Sequence, residues 1–194
     1  MVGSESEGRV SITLDTRPFT DVPNRFTFPE DRAALVTLFW KARRILEIGI
    51  NDGRTAKLLL DNLPRIESYI GIDVPPWHKT RLEVQRTEVP QEAGFWVLND
   101  KRVRIFDRPG GSEAVTVEEI GECDAAFIDG DHSRIAVKHD TALARACVKK
   151  GIIAWHDYLP GVANEVAEVI DAMAAENSAI NHVRGTWLAY ERIR

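Results

Sequence analysis

Apolar residues along the chain alternate between short β-branched runs and longer stretches with helical spacing. Runs typical of buried strands cover residues 44–50, 68–74, 103–106, 125–128 and 151–155, and helical spacing covers residues 53–62, 133–148 and 162–175. Near-continuous apolar strands separated by helices are typical of a parallel sheet that is covered on both faces. The pattern therefore predicts an α/β protein with a doubly wound, mostly parallel sheet.

The two ends of the chain depart from this alternation. Residues 1–29 carry scattered proline and polar residues, which predicts an irregular N-terminal arm with a short strand near residues 10–14. Pro29 and two acidic residues then open a helix over residues 32–41, since acidic side chains suit the positive end of a helix. Residues 182–191 predict two strands around a glycine turn. We therefore expect one Rossmann-like domain over residues 30–194 with a C-terminal antiparallel hairpin strand.

Composition and charge narrow the class of protein and its partners. The 194 residues are 44% hydrophobic and 28% charged, as in an ordinary globular domain. A net charge of −5 with scattered basic residues disfavours a nucleic-acid partner. The N-terminus has no apolar signal segment, and the apolar runs are too short to span a bilayer. Because Cys123 and Cys147 form no metal or disulfide motif, we expect a cytoplasmic protein with reduced thiols and no membrane partner.

The first predicted strand runs into a loop that contains Gly49 and Gly53. The carboxyl ends of strands are where ligands bind in doubly wound sheets, and glycine permits a sharp turn and close approach of the backbone to a ligand. The G-x-x-x-G spacing differs from the G-x-G-x-x-G of dinucleotide-binding proteins, and a plain tight turn is an equal alternative. Asp73 ends the second strand, where a carboxylate can accept both hydroxyls of a ribose or cap the turn that follows.

Acidic and histidine side chains follow the fourth and fifth predicted strands, at residues 129–132 and at His156 and Asp157. Because neighbouring parallel strands end at one edge of a sheet, we expect these side chains to lie close together. Carboxylates in close contact repel one another unless a cation is present, and oxygen-rich sets with histidine bind divalent cations. The alternative is helix capping by Asp131 or Ser133 and a structural hydrogen bond from His156. Two such motifs at neighbouring strand ends favour a functional site.

Two segments resemble motifs of the class I S-adenosylmethionine-dependent methyltransferases. ILEIGINDGRT followed by YIGID is similar to motifs I and II of that family, and residues 110–113 are similar to its adenine-contacting loop, although a simple glycine turn is an alternative. The resemblance implies S-adenosylmethionine as cofactor, with its methionine part at the glycine loop and its ribose at the second strand end. The cofactor-binding residues so implied are Glu47, Gly49, Asn51, Gly53, Thr55, Asp73, Ser112 and Asp129.

Residues 123–158 resemble one branch of this family through the pattern IDGDH…D…HD. The branch contains small O-methyltransferases related to macrocin and catechol O-methyltransferases and to cephalosporin-hydroxylase-like proteins. By position, Asp129, His156 and Asp157 would be ligands of a divalent cation, for which we expect Mg²⁺. Catechol enzymes have Asp-Asn where this chain has His156-Asp157, and a lysine base where this chain has His132. The catalytic base is therefore His132 or His156, and His132 is favoured if His156 binds the metal.

These features predict a methyltransferase that acts on a hydroxyl oxygen of a small-molecule substrate with the help of a divalent cation. The Asn/Asp-Pro-Pro-aromatic motif of enzymes that methylate amino groups is missing after the fourth strand. A non-catalytic protein of the same fold that binds S-adenosylmethionine or a nucleotide is the alternative. A nicotinamide-dependent oxidoreductase is disfavoured by the missing third glycine and by the lack of a Tyr-x-x-x-Lys pair. Whether the protein forms a homodimer is left open.

Overall fold

The computed structural model describes residues 11–79, 81, 89–176 and 179–194. Within them, the strands are β1 (Ser11–Ile12), β2 (Arg44–Ile48), β3 (Ser68–Asp73), β4 (Val103–Asp107), β5 (Cys123–Ile128), β6 (Val148–Trp155), β7 (Ile180–Val183) and β8 (Ala189–Ile193). The α-helices are α1 (Pro29–Leu38), α2 (Arg54–Asn62), α3 (Val117–Ile120), α4 (Arg134–Cys147) and α5 (Glu165–Glu176). Short 3₁₀ helices lie at Phe95–Val97 and Gly111–Ala114.

The strands form one sheet in the order β1-β7-β8-β6-β5-β2-β3-β4. Strand β8 runs antiparallel to its neighbours β6 and β7, and the other neighbouring pairs are parallel. The predicted Rossmann-like, mostly parallel sheet with an antiparallel C-terminal strand is therefore confirmed. The order reverses on either side of β2, which lies between β3 and β5 and so marks the topological switch point of the sheet.

Two apolar cores cover the two faces of the sheet. Ile45 and Tyr69 face the core that contains α1 and α2, whereas Leu46 and Ile70 face the core that contains α4 and α5. These strand residues are almost completely buried. A strand that is buried on both faces has apolar side chains in consecutive positions, which is why the strands were visible in the sequence as continuous apolar runs.

The ends of several elements differ from the predicted ones. Helix α1 begins at Pro29 and ends at Leu38, because the carboxylate of Asp31 accepts the Phe28 N–H at 2.8 Å and so closes the first turn. Strand β6 begins at residue 148, where it pairs with β5. The predicted strand over residues 10–14 is reduced to Ser11–Ile12, which pairs with β7, while residue 10 lies outside the described residues.

Among the described residues, the helices are too short or too polar to cross a membrane.

Candidate active site

The loop after β2 wraps around the carboxylate of Asp73 at the end of β3. Asp73 Oδ2 accepts the Asn51 N–H at 2.6 Å, and Oδ1 accepts the Val74 N–H at 2.7 Å. Burial raises the pKa of Asp73 to about 6, although the two N–H groups oppose the rise. Each carboxylate oxygen retains a further lone pair, so the group can still accept hydrogen bonds from ligand hydroxyls.

Gly49 lies where the loop after β2 crosses the loop after β5. Its φ is +89°, and a Cβ at this position would lie 2.1 Å from the carbonyl oxygen of Asp129. Gly53 has a φ of +87°, and its Cβ would lie 3.0 Å from Gly94 Cα. The two predicted glycines therefore permit close contact between backbone segments, and Gly49 does so at the switch point of the sheet.

An open cleft of about 280 Å³ lies beside this loop. Asn51 and Asp52 contribute to one wall, and Arg25 and Phe26 of the N-terminal arm contribute to another. The volume is near the lower end of the roughly 300–1,000 Å³ that small-molecule sites typically have. The cleft can therefore accommodate a small ligand or one end of a larger one.

Glu47 and Thr55, both predicted to bind cofactor, are buried and already bonded to protein groups. The Tyr69 hydroxyl donates to Glu47 Oε2 at 2.7 Å, and the Asn24 side chain donates to Thr55 Oγ1 at 3.5 Å. Burial raises the pKa of Glu47 well above its ordinary value, although the Tyr69 hydrogen bond opposes this. Both side chains thus support the loop from within the protein, and their contact with a cofactor stays a prediction.

Ser112, the predicted residue of the adenine loop, is bonded to helix α4. Its hydroxyl donates to Asp140 Oδ1 at 2.5 Å. Asp140 is buried, and burial raises its pKa to about 6 although the Ser112 hydrogen bond lowers it. Asp140 is the middle acidic residue of the pattern IDGDH…D…HD, but no role was predicted for it, because the pattern does not indicate its buried partner.

Asp129, His156 and Asp157 converge at the carboxyl ends of β5 and β6. One potential ligand atom from each lies within 4.8 Å of the other two. His156 Nδ1 is 3.4 Å from Asp129 Oδ1 and 3.1 Å from Asp157 Oδ2. Asp157 has a φ of 55°, a left-handed conformation that aspartate tolerates better than most side chains. The adjacent parallel strands therefore bring the predicted metal-ligand set together.

His132 lies at the rim of this cluster, whereas His156 lies inside the protein. His132 Nε2 is 3.1 Å from Asp157 Oδ2 and 3.8 Å from Asp129 Oδ1. The His132 side chain is 46% exposed and the His156 side chain is 2% exposed. Both predicted base candidates are thus close to the carboxylates, and His132 is the one that an incoming molecule can contact.

Ser133 caps the start of helix α4, as the alternative interpretation of this segment held, since its Oγ accepts the Ala136 N–H at 3.4 Å. Asp131 lies just before the helix and accepts N–H bonds from Ser133 and from Arg81, both at 2.8 Å. The capping interpretation therefore holds for Ser133, while Asp129 belongs to the cluster with His156.

The charges in the cluster depend on one another. Burial alone would lower the pKa of His156, but the charge of Asp129 and hydrogen bonds with Asp129, Asp157 and Asp31 raise it far above its ordinary value. Burial alone would raise the pKa of Asp129, but the charge of His156 and hydrogen bonds with His132 and His156 lower it. The imidazolium form of His156 offsets part of the negative charge here, as a bound cation also would.

A further carboxylate, that of Asp31, lies behind His156. Asp31 Oδ2 is 3.4 Å from His156 Nε2 and accepts the Phe28 N–H at 2.8 Å, while Oδ1 accepts the Trp187 N–H at 2.8 Å. The residue is fully buried. The sequence analysis placed Asp31 only at the start of a helix, since no pattern in the sequence relates it to His156.

Phe28 and Trp187 form an aromatic pair next to the cluster. Their ring centroids are 5.4 Å apart in an edge-to-face arrangement, and the Trp187 ring is 6.5 Å from the His156 ring. Both side chains are partly exposed, Phe28 by 52% and Trp187 by 38%. They provide an apolar surface beside the polar cluster, which sequence reasoning also missed.

The solved structures that superpose on this chain include several methyltransferases. A proposed caffeoyl-CoA O-methyltransferase from Staphylococcus aureus superposes with a TM-score of 0.64 at 16% identity, covering 89% of this chain and 86% of the other. A proposed O-methyltransferase from Klebsiella pneumoniae gives 0.59 at 19% identity, covering 89% and 84%. The S-adenosylhomocysteine-bound methyltransferase PaMTH1 from Podospora anserina gives 0.56 at 15% identity, covering 86% and 82%.

The fold is that of the class I S-adenosylmethionine-dependent methyltransferases, and a family match agrees with it. Residues 46–158, more than half of the chain, match the family described as methyltransferase domain, and the chain belongs to that family. No curated protein matches the sequence significantly. The matched range begins in β2 and ends just after β6, so it contains both the loop around Asp73 and the cluster at Asp129.

Proposed function

We propose that the protein transfers the methyl group of S-adenosylmethionine to a hydroxyl oxygen of a small molecule with the help of a divalent cation. The observation that carries this proposal is the convergence of Asp129, His156 and Asp157 within 4.8 Å of one another. The cluster lies beside Gly49, where the two loops of the switch point touch. A methyl acceptor bound at the cluster would therefore be next to the cofactor loop.

For the cofactor, we assign the ribose to Asp73 and the amino-acid end to the cleft lined by Asn51. The supporting observation is that the partly buried carboxylate of Asp73 is bonded to two backbone N–H groups and can accept further hydrogen bonds. Hydrogen bonds from hydroxyls favour the charged form of a buried carboxylate, so a ribose would stabilise Asp73 there. This loop would be shaped by Gly49 and Gly53 and supported by Glu47 and Thr55. Ser112 would hold the adenine end of the cofactor. S-adenosylmethionine itself supplies the methyl group.

For the cation, the donor set fits a divalent ion that accepts a nitrogen ligand. Two carboxylates and one imidazole suit Mn²⁺, Fe²⁺, Co²⁺ or Zn²⁺, whereas Mg²⁺ prefers oxygen ligands alone. Mn²⁺ is therefore a better first probe than the Mg²⁺ expected from the sequence. A divalent ion held by Asp129, His156 and Asp157 would lower the pKa of the acceptor hydroxyl.

The remaining chemistry is assigned to the side chains at the rim. His132 would accept the hydroxyl proton, since it is the more exposed of the two histidines and lies beside Asp157. The charge of Asp157 would stabilise the resulting imidazolium. Phe28 and Trp187 would hold the apolar part of the acceptor, so that its oxygen, the methyl group and the sulfur can line up for displacement.

We further propose that residues 30–194 are the catalytic domain and that the protein works in the cytoplasm. Cys123 and Cys147 are both buried free thiols, as is typical of a reducing compartment. The N-terminal arm adds β1 and Arg25 to this domain.

Ligand-induced thermal stabilisation is the first test. A ligand at about 100 times its dissociation constant stabilises by roughly 2.7 kcal/mol, which raises the melting temperature of a protein this size by about 5–10 °C. We expect such a shift with S-adenosylhomocysteine and none with NAD. No shift with S-adenosylhomocysteine would contradict the cofactor assignment.

Methyl transfer is the second test. S-adenosylmethionine labelled in its methyl group is incubated with catechols, simple phenols and sugars, in Mn²⁺ and in EDTA. We expect Mn²⁺-dependent labelling of a hydroxyl oxygen. Labelling that is equal in EDTA would refute the metal, whereas cofactor binding without transfer to any acceptor would favour the non-catalytic alternative.

A further inference from the structure

The side chain of Asp31 contacts the nitrogen of His156 that faces away from the metal-ligand set. His156 Nδ1 lies 3.4 Å from Asp129 and 3.1 Å from Asp157, while Nε2 lies 3.4 Å from Asp31 Oδ2. Nδ1 therefore faces the metal-ligand set, and Nε2 faces Asp31. Asp31 comes from helix α1, which is remote in sequence from both β5 and β6.

The carboxylate of Asp31 is held in place by groups other than His156. Its Oδ1 accepts the Trp187 N–H and its Oδ2 accepts the Phe28 N–H, both at 2.8 Å. These donors come from the turn before β8 and from the start of α1. Asp31 is therefore fixed before any ligand binds, and its exposed fraction is 0%.

The position of this carboxylate determines which tautomer of a neutral His156 is favoured. Nδ1 must give up its proton to bind a cation, and a carboxylate can accept a hydrogen bond but cannot donate one, so with a cation at the cluster the ring proton belongs on Nε2. Nδ1 then presents a lone pair toward Asp129 and Asp157. Histidine ligands commonly donate their second N–H to a carboxylate in this way, which fixes the ring and the tautomer.

We propose that Asp31 is a positioning residue that holds His156 with Nδ1 directed at the divalent-cation site formed with Asp129 and Asp157. This inference rests on the metal site of the proposed function. It adds a residue outside the family match, since Asp31 precedes residue 46. It also gives helix α1 a role in the site beyond packing.

The substitution Asp31→Asn keeps the shape of the side chain, but it also removes the acceptor of either the Phe28 or the Trp187 N–H, so a control that weakens the same helix is needed. The amide nitrogen of Asn cannot accept the Nε2 proton, and as a donor it favours the tautomer with a bare Nε2 and a protonated Nδ1. That tautomer cannot bind a cation through Nδ1. We expect a 10–100-fold loss of affinity for Mn²⁺ and for Co²⁺, the range typical for loss of such a partner.

Asp21→Asn is the matched control, since it loosens the same helix without contact with His156. Asp21 forms an ion pair with Arg32 of α1, with Arg32 Nε 2.6 Å from Asp21 Oδ1. The control should lower the melting temperature but leave the affinities for Mn²⁺ and Co²⁺ within about twofold of the wild type. A similar loss of cation affinity in both variants would mean that Asp31 acts only by holding the helix.

A double-variant cycle tests whether Asp31 acts through His156. In a His156→Gln background, Asp31→Asn should cause no further loss of Co²⁺ affinity, because the group that it positions is already gone. Equal losses in both backgrounds would overturn the proposal. Equal Co²⁺ affinity of the wild type and Asp31→Asn would also overturn it.

Nitrogen-15 NMR of the wild-type imidazoles, with and without Zn²⁺, keeps the inference testable if Asp31→Asn fails to fold. The imidazole signals that disappear in the His156→Gln variant identify His156 among the five histidines. On addition of Zn²⁺ we expect Nδ1 to lose its proton and shift while Nε2 keeps its proton. The opposite pattern would overturn the role of Asp31 alone, whereas no binding of any ion to the wild type would refute the metal site itself.

Discussion

The proposed cofactor loop and the proposed metal-ligand cluster lie at the same edge of the sheet but are assembled in different ways. The loop around Asp73 is made by β2, β3 and the turn between β2 and α2, and its contacts are largely with backbone N–H groups. The cluster combines Asp129, His156 and Asp157 with Asp31, which lies 125 residues from His156 in the chain. One region is local in sequence and the other is not.

This difference shows where a sequence motif carries information and where it does not. The glycines and Asp73 could be identified because their spacing reflects a local strand–turn–helix geometry. The order in which β5 and β6 pair made Asp129 and His156 neighbours, which the strand pattern also anticipated. The contact of Asp31 with His156 depends on how α1 packs on the sheet, and no local spacing encodes it. The following predictions test this division.

The largest expected effect is on Gly49, where the two regions touch. Gly49→Ala places a Cβ 2.1 Å from the Asp129 carbonyl oxygen in a left-handed backbone. We expect a loss of roughly 2–4 kcal/mol in the free energy of unfolding, from overpacking and backbone strain together. Urea unfolding measures it. Gly185→Ala is the control, since its φ is +79° and nothing lies within 4 Å of its Cβ.

The control should lose only about 1 kcal/mol, the cost of the left-handed conformation. Similar losses at Gly49 and Gly185 would mean that the two loops can move apart easily. In that case the loop after β2 and the loop after β5 would be structurally independent of each other.

The next largest effect is on the cluster alone. Asp129→Asn removes a charged ligand, and we expect Mn²⁺ affinity and Mn²⁺-dependent methyl transfer to fall by on the order of 100-fold, consistent with about 3 kcal/mol for a lost charged contact. Binding of S-adenosylhomocysteine should change by less than threefold, which calorimetry can measure. Asp131→Asn is the control, because Asp131 holds the turn before α4 through the Ser133 N–H.

Unchanged Mn²⁺ affinity in Asp129→Asn would remove Asp129 from the metal site. A large loss of S-adenosylhomocysteine affinity would instead show that the two regions cannot be separated at this residue.

A smaller effect is expected at the cofactor loop. Asp73→Ala removes the proposed ribose acceptor, and we expect about a 30-fold loss of S-adenosylhomocysteine affinity, or roughly 2 kcal/mol for a hydrogen bond to a charged group. Mn²⁺ affinity should not change. Asp107→Asn, at the facing position on β4, is the control because Asp107 is exposed. Affinity in Asp73→Ala equal to the wild type would exclude the ribose role.

The smallest effect is the pH dependence of cofactor binding. Burial raises the pKa of Asp73 to about 6 in the free protein, and ribose hydroxyls donate to the charged form. Affinity for S-adenosylhomocysteine should therefore be constant above pH 7 and fall as the pH decreases through 6, by up to about tenfold at pH 5, since one pH unit below a pKa leaves about a tenth of the group charged. Asp73→Asn should bind weakly without this decrease, and an identical decrease in that variant would assign the titration to another group.

Much of the fold was predictable because buried strands leave continuous apolar runs, and the antiparallel ending was visible in residues 182–191. The ends of the elements were not, since caps such as the Asp31–Phe28 hydrogen bond decide them. Within the site, the predicted residues at positions 129, 156 and 157 do converge, whereas Glu47 and Thr55 are bonded to protein groups that the sequence did not indicate.

The sequence by itself determined the class of fold and the pair of strands that present the cluster, because both follow from short-range periodicity. The proposed cofactor loop was indicated by its resemblance to a family motif. Only the tertiary structure decided which carboxylate faces His156 Nε2, which histidine is exposed, and which aromatic side chains lie beside the cluster. The physical reason is that these contacts join α1, β6 and the turn before β8, and their geometry depends on the packing of elements that are distant in the chain.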